Sequence, residues 1–241
     1  MFSFLQRKTT LCDSGLLQGA ADHHSHILFG VDDGVRSLEE SLAILDWYAG
    51  CGISHLWCTP HIMEDVPNTT DGLKARFQEL KAAYKGPLQL HLAAEYMLDN
   101  LYQERLEAKD ILLHGEDRIL VETSTIAPPL QMQEILERTM SLGYRPILAH
   151  PERYRYMRPE DYSRLQSMGV LMQLNLPSLT GLYGKDVMAR AQWLLKRGFY
   201  HLSGSDCHRE GVIRRQYGLK VVPIKFIESL KPIMPPYTGE E

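Results

Sequence analysis

Apolar residues along this chain fall into short runs that alternate with segments of helical period. Ser37-Leu38-Glu39-Glu40 forms a capping box ahead of Leu42, Leu45 and Tyr48, and this pattern predicts a helix that ends at Gly50. Residues 55–59 make a compact run stopped by Pro60-His61 and read as a short strand, while residues 70–84 carry helical periodicity up to Gly86-Pro87. Further strands are predicted at 88–94, 118–121, 146–149, 170–174 and 200–203. Helices are predicted from Pro128-Pro129 to Leu142, over 159–168 and over 185–197, with Gly143 and Gly198 stopping the first and last of these. Strand and helix alternate about six or seven times, which argues for parallel βα units closing into a barrel.

The 241 residues suit a single α/β barrel domain, and 44% hydrophobic with 23% charged residues is ordinary for a globular protein. Residues 1–19 read as a leader or extra element, 20–232 as the barrel, and 233–241, with Pro235-Pro236, as a solvated tail. The net charge of −4 offers no basic face for a nucleic-acid backbone. No stretch approaches the ~18–20 apolar residues of a membrane span. Arg7, Lys8 and Asp13 interrupt the N-terminus, which lacks the apolar run of a secretory signal, so the reading is a cytoplasmic enzyme without membrane insertion. Cys12, Cys51, Cys58 and Cys207 are irregularly spaced and read as reduced thiols. None is followed six residues later by an arginine, so a thiol nucleophile for phosphate esters is excluded.

The chemistry-bearing residues gather at the ends of the predicted strands. Asp22-His23-His24-Ser25-His26 sits where the first strand should end. His24 and His26 are two apart and face the same side of an extended chain, whereas His23 faces the other. His61, Glu95, Glu122, His150, Asp206 and His208 each fall at or just past a predicted strand end. That is the face on which barrel enzymes build their sites. Histidines and carboxylates without thiolate suit a borderline-to-hard divalent metal such as manganese, with iron or zinc as competitors. Arg153 follows His150 by three residues and is the first candidate for a guanidinium clamp on an anionic ligand, with Arg209 second. Asp32 reads as a loop carboxylate supporting Asp33. His55, His91, His114 and His201 read as structural, and Cys207 as a packing residue.

As an ordered set these motifs resemble the polymerase-and-histidinol-phosphatase (PHP) superfamily, and within it the bacterial protein-tyrosine phosphatases of capsular and exopolysaccharide operons. The matching residues are Asp22-x-His24-Ser25-His26, Val31-Asp32-Asp33-Gly34, Thr59-Pro60-His61 and Ala94-Glu95-Tyr96. They continue with Val121-Glu122, Ala149-His150-Pro151-Glu152-Arg153-Tyr154 and Gly204-Ser205-Asp206-Cys207-His208, covering residues 20 to 210. The resemblance implies a distorted (β/α)7 barrel holding three divalent ions. His24, His26, Glu95 and Asp206 would hold the first, Glu95, Glu122 and His150 the second, and Asp33, His61 and His208 the third. It implies hydrolysis of phosphotyrosine by a metal-activated hydroxide, on a tyrosine-phosphorylated protein such as the C-terminal tail of a bacterial tyrosine kinase. Four carboxylates against three dications would leave the set net positive, which attracts a phosphate monoester. The alternatives are a phosphatase for small monoesters such as histidinol phosphate, a phosphodiesterase on the same metals, and a non-catalytic metal-bearing scaffold.

Overall fold

The computed structural model describes residues 7–238 and has a mixed α/β fold built on parallel sheets. The chain opens with β1 (Lys8–Thr9) and β2 (Ala21–Ser25), then α1 (Leu38–Cys51), β3 (His55–Cys58) and β4 (His61–Ile62). It continues through α2 (Thr70–Ala83), β5 (Gln89–Leu92), β6 (Glu95–Met97), α3 (Asn100–Ala108), β7 (Arg118–Glu122) and α4 (Met132–Ser141). The last third comprises β8 (Arg145–Ala149), α5 (Pro159–Met168), β9 (Leu171–Asn175), α6 (Lys185–Lys196), β10 (Leu202–Gly204), α7 (Glu210–Tyr217) and β11 (Val222–Pro223).

One sheet runs β2-β3-β5 and the other β10-β9-β8-β7-β6-β4, and every pair in them is parallel. The strands predicted at 55–59 and 88–94 appear as β3 and β5, and each is followed after a two-residue break by a further short strand, β4 and β6. Pro60 has no N–H to offer the ladder, and Thr59 is tied sideways to β2, where its Oγ1 accepts from the Ser25 N–H at 3.0 Å. Pairing resumes one step on, where the Glu95 N–H donates to the Pro60 carbonyl at 3.1 Å. Past the end of β10 the chain returns to β2: the Asp206 N–H donates to the His24 carbonyl at 2.8 Å and the His26 N–H to the Cys207 carbonyl at 3.0 Å.

Most predicted helices appear near their expected places. Ser37 caps α1 by accepting from the Glu40 N–H at 3.3 Å. The helix runs on to Cys51, because the residue in the left-handed region is Gly52 (φ 95°), not Gly50. α4 starts at Met132, since Pro128-Pro129 belong to an irregular loop. The short α3 escaped the sequence pattern, although Asp99 caps it by accepting from the Tyr102 N–H at 2.8 Å.

The two terminal segments pack more closely than expected. β1 pairs antiparallel with β11, and Leu11, Leu16 and Leu17 are buried. Where a solvated tail was expected, Ile233 and Met234 are buried and the Tyr237 ring lies 4.0 Å from that of His55. Burial of apolar surface and aromatic contact outweigh the solvation that Pro235-Pro236 suggested. Residues 239–241 of that tail, like residues 1–6 of the leader, lie outside the described residues.

Trp57 on β3 organises a layer of imidazoles. His91 stacks on it at 4.1 Å, His114 at 4.6 Å and His23 at 4.9 Å. Burial holds these rings neutral: His91 is lowered to about 4 and His114 well below the usual histidine value of 6.5. Both are uncharged in the folded protein where an unfolded chain would already bind protons. Stability is therefore complete above pH ~6.5 and falls as pH drops toward ~4. In metal-free protein the melting temperature should decline across that window, and His91→Phe, which keeps the stack but cannot be protonated, should make the decline shallower. An unchanged slope in that variant would remove His91 from the account.

Candidate metal centre

The ligand candidates converge because each strand end delivers one or two of them to the same rim. His24 near the end of β2 and His26 just past it alternate with Ser25 and point together, His61 opens β4, Glu95 opens β6 and Glu122 closes β7. His150 follows β8, and Asp206 and His208 follow β10. His150 (φ 35°) and Asp206 (φ 52°) both sit in the left-handed backbone region, a strained conformation for residues other than glycine. Backbones crowd here: a Cβ on Gly204 would lie 2.5 Å from the His24 Cβ, so only glycine lets β10 approach β2.

Glu95 lies at the centre. It is fully buried, its Oε1 accepts from His150 Nε2 at 3.0 Å, and its Oε2 stands 3.2 Å from His24 Nε2, 3.1 Å from His26 Nε2 and 3.2 Å from His61 Nδ1. His24 Nδ1 donates to Gln173 Oε1 at 2.9 Å and His26 Nδ1 to Asp32 Oδ2 at 2.8 Å. Both rings thus turn Nε2 inward, and the two Nε2 atoms face one another at 3.1 Å. With Nδ1 carrying the proton in each neutral ring, two lone pairs would meet there, an arrangement that favours a proton or a metal cation between them. Asp206 Oδ1 lies 3.6 and 3.5 Å from the same two nitrogens.

The remaining candidates extend the cluster toward solvent. Glu122 Oε1 is 3.3 Å from His61 Nδ1, and Glu122 Oε2 is 3.8 Å from His150 Nε2. Asp33 Oδ1 is 3.2 Å from His208 Nε2 and 3.6 Å from His61 Nε2. Four overlapping groups have ligand atoms within 4.8 Å of one another: His24/His26/Asp206, His24/Glu95/His150, His61/Glu95/Glu122, and His26/Asp33/His61/His208. All nine ligand candidates therefore belong to one continuous cluster. His61 faces two ways, toward Glu95 and Glu122 as well as toward Asp33.

The electrostatics of the cluster favour bound positive charge. Burial alone would push His26 down, but the Asp32 and Glu95 carboxylates outweigh it and raise it well above 6.5. Burial likewise opposes ionisation of Glu95, yet His24, His61 and His150 drive it well below the usual glutamate value. Glu122 goes the other way, raised by burial and by repulsion from Glu95 and Asp206. Burial and mutual repulsion thus oppose ionising Glu122 together with Glu95 and Asp206, and divalent cations would supply the balancing charge by displacing protons. The donor set of imidazole and carboxylate fits such ions.

Arg153 and Arg209 line the same cavity of about 330 Å³, but they are held differently. Arg153 donates from Nη1 to Asp206 Oδ2 at 2.8 Å and lies 4.6 Å from the centre of the Tyr183 ring. Arg209 uses its Nη1 on the carbonyls of Asp33, Gly34 and His208, so it fastens the Asp33 loop. Three supporting residues were not foreseen. Gln173 orients His24, while Asn175 Nδ2 and the Tyr183 hydroxyl donate to Asp206 Oδ2 at 3.0 and 3.3 Å. Their one trace in the sequence is a pair of amides two residues apart, Gln173 and Asn175, in an otherwise apolar strand.

Among known proteins the chain matches, over residues 20–220, the family described as capsular polysaccharide synthesis, CpsB/CapC. It is 29% identical over 238 residues to tyrosine-protein phosphatase CpsB of Streptococcus pneumoniae, covering 88% of this chain and 97% of that one. It is 27% identical over 206 residues to the putative tyrosine-protein phosphatase CapC of Staphylococcus aureus, covering 83% and 80%. A crystal structure from work on YwqE of Bacillus subtilis and CpsB of S. pneumoniae, described as unique metal-dependent tyrosine phosphatases, has the same fold. The TM-score is 0.74 at 24% identity, over 90% of this chain and 95% of that one. Among the described residues no helix is long and apolar enough to cross a membrane.

Gln173→Leu removes the group that sets the His24 tautomer and leaves the ring free to turn. Metal affinity should fall about 10- to 100-fold, the usual cost of losing such a support. Metal titration of the purified variant checks this, and unaltered affinity would mean that backbone geometry alone holds His24.

Proposed function

The chain belongs to the CpsB/CapC family of capsular polysaccharide synthesis, and from that premise we propose that it is a metal-dependent protein-tyrosine phosphatase. The observation that carries the reading is Glu95, one buried carboxylate whose two oxygens face four imidazoles brought in by three strands. We assign the architecture as a distorted (β/α)7 barrel, supported by the parallel pairing and by the hydrogen bonds from the Asp206-Cys207 segment to β2. We further assign three divalent ions, manganese foremost. His24, His26, Glu95 and Asp206 would hold the first, Glu95, Glu122 and His150 the second, and Asp33, His61 and His208 the third. The substrate is a tyrosine-phosphorylated protein, the tail of a bacterial tyrosine kinase being the candidate, and the compartment is the cytoplasm.

Bound ions would supply Lewis-acid charge and make water nucleophilic near neutral pH. The chain's own residues do the rest. Arg153, steadied by the Tyr183 ring and Asp206, is placed to grip non-bridging phosphate oxygens. Leu182 and Val212, 37% and 43% exposed, line the same cavity and offer apolar surface to the aryl ring. Arg209 keeps the loop bearing Asp33 in place. No cysteine takes part: Cys207 and Cys58 are buried, and burial pushes both thiols up.

Hydrolysis of a phosphotyrosine peptide, a phosphoserine peptide and histidinol phosphate, with Mn²⁺ and with a chelator, tests the reading. Phosphotyrosine should be preferred, and chelation should abolish turnover until metal is restored. A preference for histidinol phosphate would overturn the substrate and leave the cluster intact. His150→Ala and Asp206→Ala should each lower turnover of p-nitrophenyl phosphate by at least about 10²-fold with folding retained. Arg153→Ala should lower kcat/KM by about 10- to 100-fold, the scale of one charge-assisted hydrogen bond, with bound metal unchanged. Loss of metal in that variant would make Arg153 structural.

A further inference from the structure

Cys12 and Cys51 are 39 residues apart in sequence, yet their sulfurs lie 3.8 Å from one another. Both are free thiols and partly exposed, whereas Cys58 and Cys207 are buried at 0% and 2%. Each is held by its own neighbourhood. Cys12 opens a three-residue 3-10 turn in which Thr10 and Asp13 cap one another: the Thr10 hydroxyl donates to Asp13 Oδ2 at 2.7 Å and the Asp13 N–H donates to Thr10 Oγ1 at 2.8 Å. The preceding Leu11 N–H donates to the Tyr217 carbonyl at 3.1 Å. Cys51 is the last residue of α1, and Gln18 Nε2 donates to its carbonyl at 3.2 Å. The thiols therefore face one another through two independent anchors, and not by way of a flexible loop.

We infer that Cys12 and Cys51 are an oxidative modification site, closing to an intramolecular disulfide that staples the leader to α1. With a small-molecule disulfide such as oxidised glutathione as oxidant, one protein thiolate attacks it and releases one glutathione. The second protein thiol then displaces the other glutathione. Two S–H bonds are exchanged for one S–S bond, and the two protons and two electrons leave on two glutathione thiols. The closed loop carries His24, His26, Asp32 and Asp33, so the staple fixes both ends of the segment that begins the metal cluster. Burial raises both thiols, Cys51 to about 12, so the exchange is slow near neutral pH. A disulfide bond is about 2 Å long, so the sulfurs must move together by a little under 2 Å.

The test incubates the full chain with oxidised glutathione and maps the products by mass spectrometry beside thermal melts. A monomer lighter by two hydrogens, with a Cys12–Cys51 cross-linked peptide and a melting temperature higher by about 5 °C or more, is expected. Cys12→Ser and Cys51→Ser should each lack the cross-link and the shift. Four persisting thiols, a stable glutathione adduct on either cysteine, cross-links between chains, or an oxidised monomer that melts no higher would each overturn the inference.

Discussion

A glutamate excluded from water and ringed by imidazoles is the constraint on which the rest of this molecule depends. Glu95 is ionised because histidines surround it, and those histidines are held in charge-accepting orientations because Asp32 and Gln173 bond to their outer nitrogens. Neither half is stable alone: a lone buried carboxylate would take up a proton, and two neutral imidazoles would face one another with lone pairs that repel. Cations between them would resolve both problems. The strained backbone at His150 and Asp206, and the glycine-only contact at Gly204, are local concessions to that geometry.

The same side chain serves opposite purposes at two levels of the fold. Around Glu95 the imidazoles meet carboxylates, while around Trp57 they stack on an aromatic face, and burial keeps His91 and His114 neutral. Alternation along β2 assigns His24 and His26 to the first environment and His23 to the second. Arginine divides in a similar way. Arg153 is stacked and paired beside the cavity, whereas Arg209 is used up on loop carbonyls.

Strand ends were readable because parallel α/β folds gather their chemistry at the ends and breaks of strands, so ligands recur beside predictable apolar runs. The breaks after β3 and β5 were not readable, because they arise from cross-strand ties such as Thr59 to Ser25. α3 was missed because its single cap and two buried residues make a weak period over nine residues. The C-terminal segment looked solvated because its proline pair hides a tyrosine whose partner, His55, is far away in sequence.

By itself the sequence determined the alternation of strand and helix, the nine ligand candidates and the lack of any cysteine followed six residues later by an arginine, since each is written in local pattern and residue type. Only the tertiary structure decided which nitrogen of each histidine turns inward, that Gln173, Asn175 and Tyr183 support the cluster, and that Arg209 holds a loop. It alone brought Cys12 to Cys51. Such facts are distances between residues far apart in sequence, and no local pattern encodes which side chain will stand within hydrogen-bonding reach of another once the strands have paired.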